Sequence, residues 1–226
     1  MSIGKAFFIT VEGIDGSGKS TQIEKMREYF EQKGNQVYVT REPGGTTISE
    51  RIREILLDTE SAEMEPLTEL FLFLASRTQH TFEVIKPKLK RGIMVISDRY
   101  ADSSIAFQGE GRSLEKGLVD YLNKIATGGL TPDLTILLDI EPEVAMRRVK
   151  EKKGVIPFPQ LDRMEQEQLE FHNKVRKAYL EWAKKNPLRI RLVSSRGSPQ
   201  ETWDKIKKEL DRLVYTNIKE SGKIGN

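Results

Sequence analysis

Five short apolar runs, each separated from the next by a helical pattern, constrain the fold more than any other feature of this sequence. Such alternation is typical of a parallel β-sheet with helices on both faces. Three of the runs are almost wholly apolar, as expected of strands that are buried on both sides. We therefore predict an α/β fold with five parallel strands: AFFITVE (6–12), QVYVT (36–40), GIMVIS (92–97), LTILLDI (134–140) and RIRLVS (189–194).

The segments between these runs have helical periodicity. With 226 residues, 37% of them hydrophobic, the chain can bury a substantial core, and we expect one domain spanning 1–226. The last residues, 216–226, are predicted to form a flexible tail. Helices are predicted at about 18–33, 46–58, 65–91, 113–126, 141–153, 161–186 and 198–215.

The segment VEGIDGSGKST (11–21) matches the spacing G-x-x-x-x-G-K-[ST] between a strand-like run and a helical one. Glycines at Gly13 and Gly18 let backbone amides converge on phosphate oxygens, while Lys19 can bridge the outer phosphates and Ser20 can ligate magnesium. The alternative is a tight turn that only joins strand to helix. We interpret the segment as a nucleoside triphosphate site, which predicts a three-layer P-loop NTPase fold.

Polar residues directly follow most of the apolar runs. If these runs are parallel strands, the polar residues lie together at the carboxyl edge of the sheet, where such sheets bind ligands. Asp98 and Arg99 come directly after IMVIS, where Asp98 is placed to hold magnesium and Arg99 offers a planar fork for a phosphate. A structural ion pair at a strand end is the alternative. Arg41, in TREPGGT, indicates a phosphate contact more weakly, since this segment equally fits a plain turn.

Phe73 and Arg77 are four residues apart and therefore lie on one helical face. An aromatic ring that stacks on a base, with a guanidinium one turn away, would make a nucleobase pocket. Composition by itself favours the other interpretation, a core aromatic residue, because leucines surround Phe73.

A basic helix end runs into the Pro-broken segment GVIPFPQ (154–160). This pattern predicts a lid over anions at about 147–162, although a solvated charged helix with a surface loop fits equally well. The cationic side chains concerned are Arg147, Arg148, Lys150, Lys152 and Lys153.

Charge and composition exclude several classes of protein. The 37 basic and 34 acidic residues give a net charge of +3, too small to indicate a nucleic-acid or membrane partner. No apolar run approaches the roughly 18 residues of a membrane span, and we expect a soluble cytoplasmic protein. The absence of cysteine excludes disulfides and thiolate catalysis, and only two histidines are present. No N-K-x-D tetrapeptide follows a strand, which argues against a switch GTPase.

Several spaced motifs occur in a fixed order along the chain: EGIDGSGKST, TREPGGT, ASRTQH, DRYADSSIAFQGEGR and LDRMEQEQLEFHNKVRKAYL. Together they resemble the thymidylate kinases of bacteria over about residues 6–210. The resemblance implies a P-loop nucleoside monophosphate kinase that transfers the γ-phosphate of ATP to dTMP with Mg²⁺, in dTTP synthesis for DNA replication. It also implies a homodimer.

The resemblance also implies roles for individual residues. Phe73 would stack on thymine, Arg77 would donate to a thymine carbonyl, and the Glu42–Pro43 peptide would be cis. Asp162 and Arg163 would belong to the lid helix. The expected dTMP-binding residues are Asp15, Arg41, Arg53, Phe73, Arg77, Arg99, Ser104, Phe107 and Gln108, with Asp15 near the sugar 3′-hydroxyl and Phe107 where a 2′-hydroxyl would protrude. The expected ATP-binding residues are Gly13, Ile14, Asp15, Gly16, Ser17, Gly18, Lys19, Ser20, Thr21, Arg148, Ser195, Arg196 and Gly197; Ser20 and Asp98 would hold the metal.

The chemistry requires charge compensation more than a base. A phosphate monoester has a second pKa near about 6 and is largely a dianion at neutral pH, so the acceptor needs no general base. The P-loop positions Ile14 to Ser17 carry no cation, so the lid must supply one. The expected catalytic residues are Lys19, Arg99, Asp15 and Arg148. Among them, Asp15 is not expected to act as a general base.

Three other functions remain compatible with the residues. A P-loop kinase for a deoxynucleoside or another monophosphate would need an activating carboxylate if its acceptor were a hydroxyl. A nucleotide-dependent switch would bind ATP without stimulation by any monophosphate. A nucleic-acid-binding ATPase is disfavoured by the mixed-sign composition.

Overall fold

The fold is built on one parallel sheet of five strands. The computed structural model describes residues 6–153 and 161–222, with side chains described up to residue 151 and from 161 to 215. The strand order is β2-β3-β1-β4-β5. Every pairing is parallel, as predicted. The strands are β1 (Phe8–Glu12), β2 (Val37–Arg41), β3 (Met94–Asp98), β4 (Leu134–Asp139) and β5 (Ile190–Ser194).

The three inner strands are buried on both faces, which explains their nearly continuous apolar sequences. In the edge strands β2 and β5, more exposed and more buried residues alternate, so these strands are only partly buried. Register places Ile9 beside Ile96 of β3 and beside Leu134 of β4. Strand β1 is therefore the central strand, and the loop that follows it lies at the middle of the carboxyl edge of the sheet.

Helices cover both faces of the sheet and complete three layers. Helices α1 and α9 close one hydrophobic core, and α8 closes the other. A smaller cluster joins α3 to α6 outside the second core. The helices are α1 (Lys19–Gln32), α2 (Thr47–Leu57), α3 (Pro66–His80), α4 (Lys86–Lys90), α5 (Ala101–Ser104), α6 (Lys116–Thr127), α7 (Pro142–Lys153), α8 (Leu169–Lys185) and α9 (Pro199–Gly222).

Several predicted helices differ from those in the structure. The segment 65–91 is interrupted by a π-helical stretch, Thr81–Ile85, between α3 and α4. The predicted helix 161–186 begins only at Leu169, because the Asp162 carboxylate accepts the backbone N–H groups of Met164 and Glu165 and holds the preceding residues in turns. Asp162 and Arg163 are thus not helical, which corrects the expectation drawn from the resemblance.

The segment 101–111 was not predicted as helical, yet it forms α5 and a π-helical stretch, Ile105–Gly111. Its polar residues obscured the pattern because they are buried and hydrogen-bonded rather than solvated. At the other end of the chain, α9 continues to Gly222, past the predicted end at 215. Residues 223–226 of the predicted tail lie outside the described residues. Within the described ranges, no helix is both long and apolar enough to cross a membrane.

Candidate active site

The site lies at the carboxyl edge of the sheet, where β1 is flanked by β3 and β4. Open parallel sheets bind ligands at this edge, near the point where the strand order reverses. The segment after β1, the end of β2 and the end of β3 all open into one cleft of about 800 Å³.

The loop after β1 is a glycine-rich turn that runs directly into α1. Gly13, Gly16 and Gly18 have φ values of 137°, 83° and 94°, which non-glycine residues rarely adopt. A Cβ atom at Gly16 would lie 2.2 Å from the carbonyl oxygen of Ala145 in α7. The loop is therefore packed against α7 as closely as a bare backbone allows, and Gly18 serves as the N-cap of α1.

Lys19 is buried with its ammonium group turned back over the loop. Its Nζ atom donates to the carbonyl oxygens of Gly13 at 3.2 Å and Ile14 at 3.3 Å, and it lies 3.4 Å from Oδ1 of Asp15. The loop thus holds a positive charge beside the open N-terminus of α1, an arrangement suited to phosphate oxygens.

The wall of the large cleft combines the loop with elements from the other end of the chain. Arg148 of α7 donates to the carbonyl oxygen of Ser195 at 3.2 Å, which ties α7 to the segment after β5. Arg196, in contrast, pairs with Glu141 and does not line the cleft. The predicted residues that line it are Asp15, Gly16, Ser17, Gly18, Lys19, Ser20, Thr21, Arg41, Arg53, Asp98, Arg99, Arg148, Ser195 and Gly197.

Two oxygen-bearing side chains in this cleft fit a magnesium site. Oδ1 of Asp98 is buried and has no hydrogen-bond partner among the residues that the structure describes. Asp98 and Ser20 both line the cleft. No cluster of three or more histidine or carboxylate side chains that could enclose a metal occurs in the described ranges. This donor set suits Mg²⁺, which keeps several waters and usually takes phosphate oxygens as further ligands.

A smaller pocket, of about 80 Å³, adjoins the cleft between α3 and the segment after β3. Among the predicted acceptor-site residues, Ser104 lies behind Arg77 instead of lining this pocket, and Arg41 faces the cleft and pairs with Glu50. Residues lining the small pocket are Asp15, Glu42, Pro43, Arg53, Leu57, Phe73, Arg77, Arg99, Ser103, Phe107, Gln108, Asp162 and Met164.

Arg77 is 1% exposed and is held on several sides. Its Nε atom donates to Glu42 at 2.7 Å, its Nη1 atom donates to Ser104 and to Asn123, and its Nη2 atom donates to the carbonyl oxygen of Tyr100. Four of the five N–H groups of the guanidinium are thereby used. One Nη2–H remains without a partner among the described residues.

The position of Glu42 follows from the turn after β2. The Glu42–Pro43 peptide is cis, as the resemblance implied, and Glu42 is buried. Its second oxygen lies 3.1 Å from Nδ1 of His80. Gln108, on the other side of the pocket, donates to buried Glu69, whose carboxylate also pairs with Arg112 and Arg163.

Arg99 lies where the small pocket meets the cleft and has an unusual φ of 71° for a non-glycine residue. Its Nη2 atom donates to Asp15 at 2.9 Å, and its guanidinium lies 4.9 Å from the centre of the Phe107 ring. Burial by itself would raise the pKa of Asp15, but Arg99 and Lys19 outweigh it and hold that pKa well below its usual range.

Glu12, at the end of β1, was not predicted as a site residue. It is fully buried and accepts from the backbone N–H of Tyr100 at 2.8 Å, from Ser103 at 2.6 Å and from Tyr179 at 2.7 Å. Burial, followed by the charge of Asp102, raises the pKa of Glu12 from 4.5 to about 7. The sequence did contain a signal for this residue, because Glu12 is a carboxylate in an otherwise apolar strand. A carboxylate that is buried with such a strand requires hydrogen-bonding partners.

Comparison with known proteins gives a consistent family. The model of the family described as thymidylate kinase matches residues 11–206. The thymidylate kinase of Maridesulfovibrio salexigens is 46% identical over 212 residues, covering 91% of this chain and 96% of the relative. That of Carboxydothermus hydrogenoformans is 45% identical, covering 91% and 97%. The crystal structure of the Ehrlichia chaffeensis thymidylate kinase superposes with a TM-score of 0.71 at 33% identity, covering 92% and 99%.

The raised pKa of Glu12 predicts how stability depends on pH. The folded protein keeps the Glu12 proton up to about pH 7, whereas the unfolded chain releases it near 4.5. Glu12 should therefore lower the free energy of unfolding by roughly 3 kcal/mol as pH rises from about 4 to about 8. We expect urea unfolding of the Glu12→Gln variant to lack this decline.

The wild type and the Glu12→Gln variant share all other titrating groups. The difference between their free energies of unfolding therefore isolates the contribution of Glu12. That difference should change in favour of Glu12→Gln as the pH increases. A difference that is constant between pH 4.5 and 8 would contradict the assignment.

Proposed function

This chain belongs to the thymidylate kinase family, and from that membership we infer that it is an ATP-dependent kinase that phosphorylates dTMP to dTDP, the precursor of dTTP. One observation supports this reaction above all. The small pocket and the P-loop cleft adjoin, and both are lined by Asp15, Glu42, Arg53 and Arg99. A monophosphate in the pocket would present its phosphate to a triphosphate in the cleft.

The small pocket provides the base site in this proposal. The ring of Phe73 would stack on thymine, and the remaining Nη2–H of Arg77 would donate to a thymine carbonyl. Gln108 would lie at the base edge, while Ser104 acts through Arg77, to which it is hydrogen-bonded. Phe107 is buried beside Arg99 and would exclude a ribose 2′-hydroxyl.

Arginines at the junction would bind the acceptor phosphate. Arg99 and Arg53 line both spaces, and Arg53 is fixed by its hydrogen bond of 2.8 Å to the carbonyl oxygen of Pro43. Arg41 would contribute from the cleft side. Asp15, kept ionised by its two cationic neighbours, would accept from the sugar 3′-hydroxyl and would not serve as a base, because the acceptor phosphate is already largely a dianion at neutral pH.

The P-loop would bind the donor triphosphate. Backbone amides from Gly13 to Thr21 and the N-terminus of α1 would hold the phosphates, with Lys19 at the outer ones. Ser20 and Asp98 would hold Mg²⁺, which neutralises phosphate charge when it is bound. Ser195 and Gly197, which line the cleft, would flank the adenine, whereas Arg196 is turned to Glu141.

The cation from the lid is assigned to Arg148. Among the described lid cations, Arg148 lines the P-loop cleft, and the hydrogen bond to Ser195 fixes it there. Arg147 is exposed on α7, and Lys150 lines a neighbouring cavity instead of the P-loop cleft. The proposed lid of 147–162 lies partly outside the described residues. It belongs to a single kinase domain over 1–226, and we place the enzyme in the cytoplasm.

We further propose that the enzyme is a homodimer. Helices α2, α3 and α6 pack side by side and expose apolar side chains on their outer faces. A two-fold axis through α3 would bury this face against the same face of a second copy. The side chains concerned are Ile48, Ile55, Leu67, Phe71, Leu118, Tyr121 and Ile125.

The reaction is tested by measuring ADP formation from MgATP with dTMP, dUMP, thymidine or no acceptor. We expect strong stimulation by dTMP, weaker stimulation by dUMP and none by thymidine. A missing methyl group is worth only about 1–3 kcal/mol in an apolar pocket, so dUMP should still react. The Lys19→Ala variant should lower kcat with dTMP by roughly a hundredfold or more. Absence of stimulation by all three acceptors would contradict the function.

The base site is tested by Arg77→Ala. We expect the KM for dTMP to rise roughly tenfold or more, because a hydrogen bond from a charged group is lost, while the KM for ATP stays nearly constant. Arg189→Ala is a matched control, since it removes a partly buried arginine paired with Asp102 outside both spaces. Unchanged dTMP kinetics in a folded Arg77→Ala protein would disprove the base-site assignment.

The dimer is tested by Phe71→Glu, which places a charge on a side chain that is 51% exposed at the centre of the apolar face. Sedimentation should show a dimer for the wild type and a monomer for this variant. Leu188→Glu is the control, because Leu188 is 90% exposed and lies outside that face. A wild-type monomer at micromolar concentration would refute the proposal.

A further inference from the structure

Glu12 is a buried ionisable group to which the proposed reaction gives no task. We propose that Glu12 is a positioning residue for the acceptor phosphate, which fixes the guanidinium of Arg99 through the hydroxyl groups of Ser103 and Tyr179. This inference rests on the proposed function, because it assigns a role within the same site.

The first step is the anchoring of the turn that carries Arg99. Oε1 of Glu12 accepts from the backbone N–H of Tyr100 at 2.8 Å, the residue directly after Arg99. The backbone N–H of Arg99 donates to the carbonyl oxygen of Val11 at 3.0 Å, and its φ of 71° lies in the left-handed region. Two bonds from the end of β1 therefore hold an otherwise unfavourable backbone conformation on both sides of Arg99.

The second step concerns the direction of two hydroxyl groups. Ser103 and Tyr179 both donate to Oε2 of Glu12, at 2.6 Å and 2.7 Å. Above its pKa of about 7, the Glu12 carboxyl group is ionised and can only accept, so it takes the single hydrogen of each hydroxyl. The oxygen lone pairs of both hydroxyls are then left for other donors.

The third step is the contact of those hydroxyls with Arg99. Nη1 of Arg99 lies 3.3 Å from Oγ of Ser103 and 3.3 Å from Oη of Tyr179. On its other side, Nη2 of Arg99 pairs with Asp15. The guanidinium is thus held on one side by Asp15, which borders the cleft and can be displaced by a phosphate. On the other side it is held by two hydroxyl oxygens, whose hydrogens are directed to Glu12.

Glu12 itself does not line the cleft or the small pocket. Its oxygens are separated from Arg99 by the two hydroxyls, and it comes from a different strand than Arg99. It therefore cannot contact the phosphate and acts only through the side chains that do. This distinguishes Glu12 from Asp15, which borders both spaces.

The Glu12→Gln variant tests this relay in the full-length enzyme at about pH 8, where Glu12 of the wild type is ionised. The amide oxygen can still accept from Tyr100, but the amide NH₂ donates, so the hydroxyl hydrogens must turn away from residue 12, toward Arg99 or toward each other, since the two hydroxyl oxygens are 2.9 Å apart. We expect the KM for dTMP to rise roughly tenfold to a hundredfold, with the KM for ATP changed by less than about twofold. Tyr29→Phe is the matched control, because it removes a hydroxyl that donates to a carboxylate, Asp211 of α9, away from Arg99 and should leave both constants unchanged.

A double-mutant comparison separates the relay from a general structural effect. In the Ser103→Ala/Tyr179→Phe background the relay is absent, so adding Glu12→Gln should change the KM for dTMP by less than about twofold. If Glu12→Gln does not fold, Tyr179→Phe alone must raise the KM for dTMP selectively, because Tyr179, unlike Ser103, lines neither the pocket nor the cleft.

The remaining outcomes overturn the proposal. Unchanged dTMP kinetics in Glu12→Gln would do so, as would an equal rise of both KM values or a full additive effect in the double background. A wild-type protein that is not stimulated by dTMP would be a different result, because it would refute the proposed function itself.

Discussion

Arg77 and Arg99 carry positive charge where little water reaches them, and the rest of the site depends on how that charge is balanced. An isolated buried charge is unfavourable by several kcal/mol, so each guanidinium needs a carboxylate and further acceptors. Glu42 supplies the carboxylate for Arg77, and Asp15 supplies it for Arg99. The protein thus keeps its anion-binding groups ordered before any polyanion arrives, which reduces the cost of positioning two negatively charged substrates.

The two arginines are balanced in different ways, and the difference suits their proposed tasks. Glu42 is 4% exposed and also contacts His80, so its pair with Arg77 is held from two sides and leaves one Nη2–H of Arg77 for the proposed base. Asp15 borders the cleft, so a phosphate can compete with it for Arg99. Glu12 lies deeper and holds its hydroxyl partners in place whether or not that exchange occurs.

The sheet brings these groups together because all five strands point the same way. The loop after β1, Arg41 at the end of β2 and Asp98 at the end of β3 lie at one edge, although they are far apart in sequence. The loop is fixed from a third direction by α7, whose Ala145 carbonyl leaves no room for a side chain at Gly16. The same helix carries Arg148 to the cleft, so the packing that fixes the phosphate loop also positions the proposed lid cation.

The sequence predicted what local chemistry dictates. Buried parallel strands need continuous apolar runs, and the phosphate loop needs glycines at fixed spacing, so the fold and the P-loop could both be read from short segments. The spacing of Phe73 and Arg77 indicated a shared helical face, but only the resemblance favoured a base pocket over a core. The helix 101–111 was missed because the pattern gives no sign of which polar residues are buried.

Tertiary structure decided which charges meet. Glu12 and Tyr179 are 167 positions apart, and Arg77 and Asn123 are 46 apart. Ser104 proved to lie behind Arg77, and Arg196 outside the cleft wall, although both stand in segments assigned to binding. Periodicity and spacing describe one element at a time, whereas the balance of a buried charge depends on side chains from several elements. That balance, which fixes how Arg77 and Arg99 are held, exists only once the strands and helices have packed.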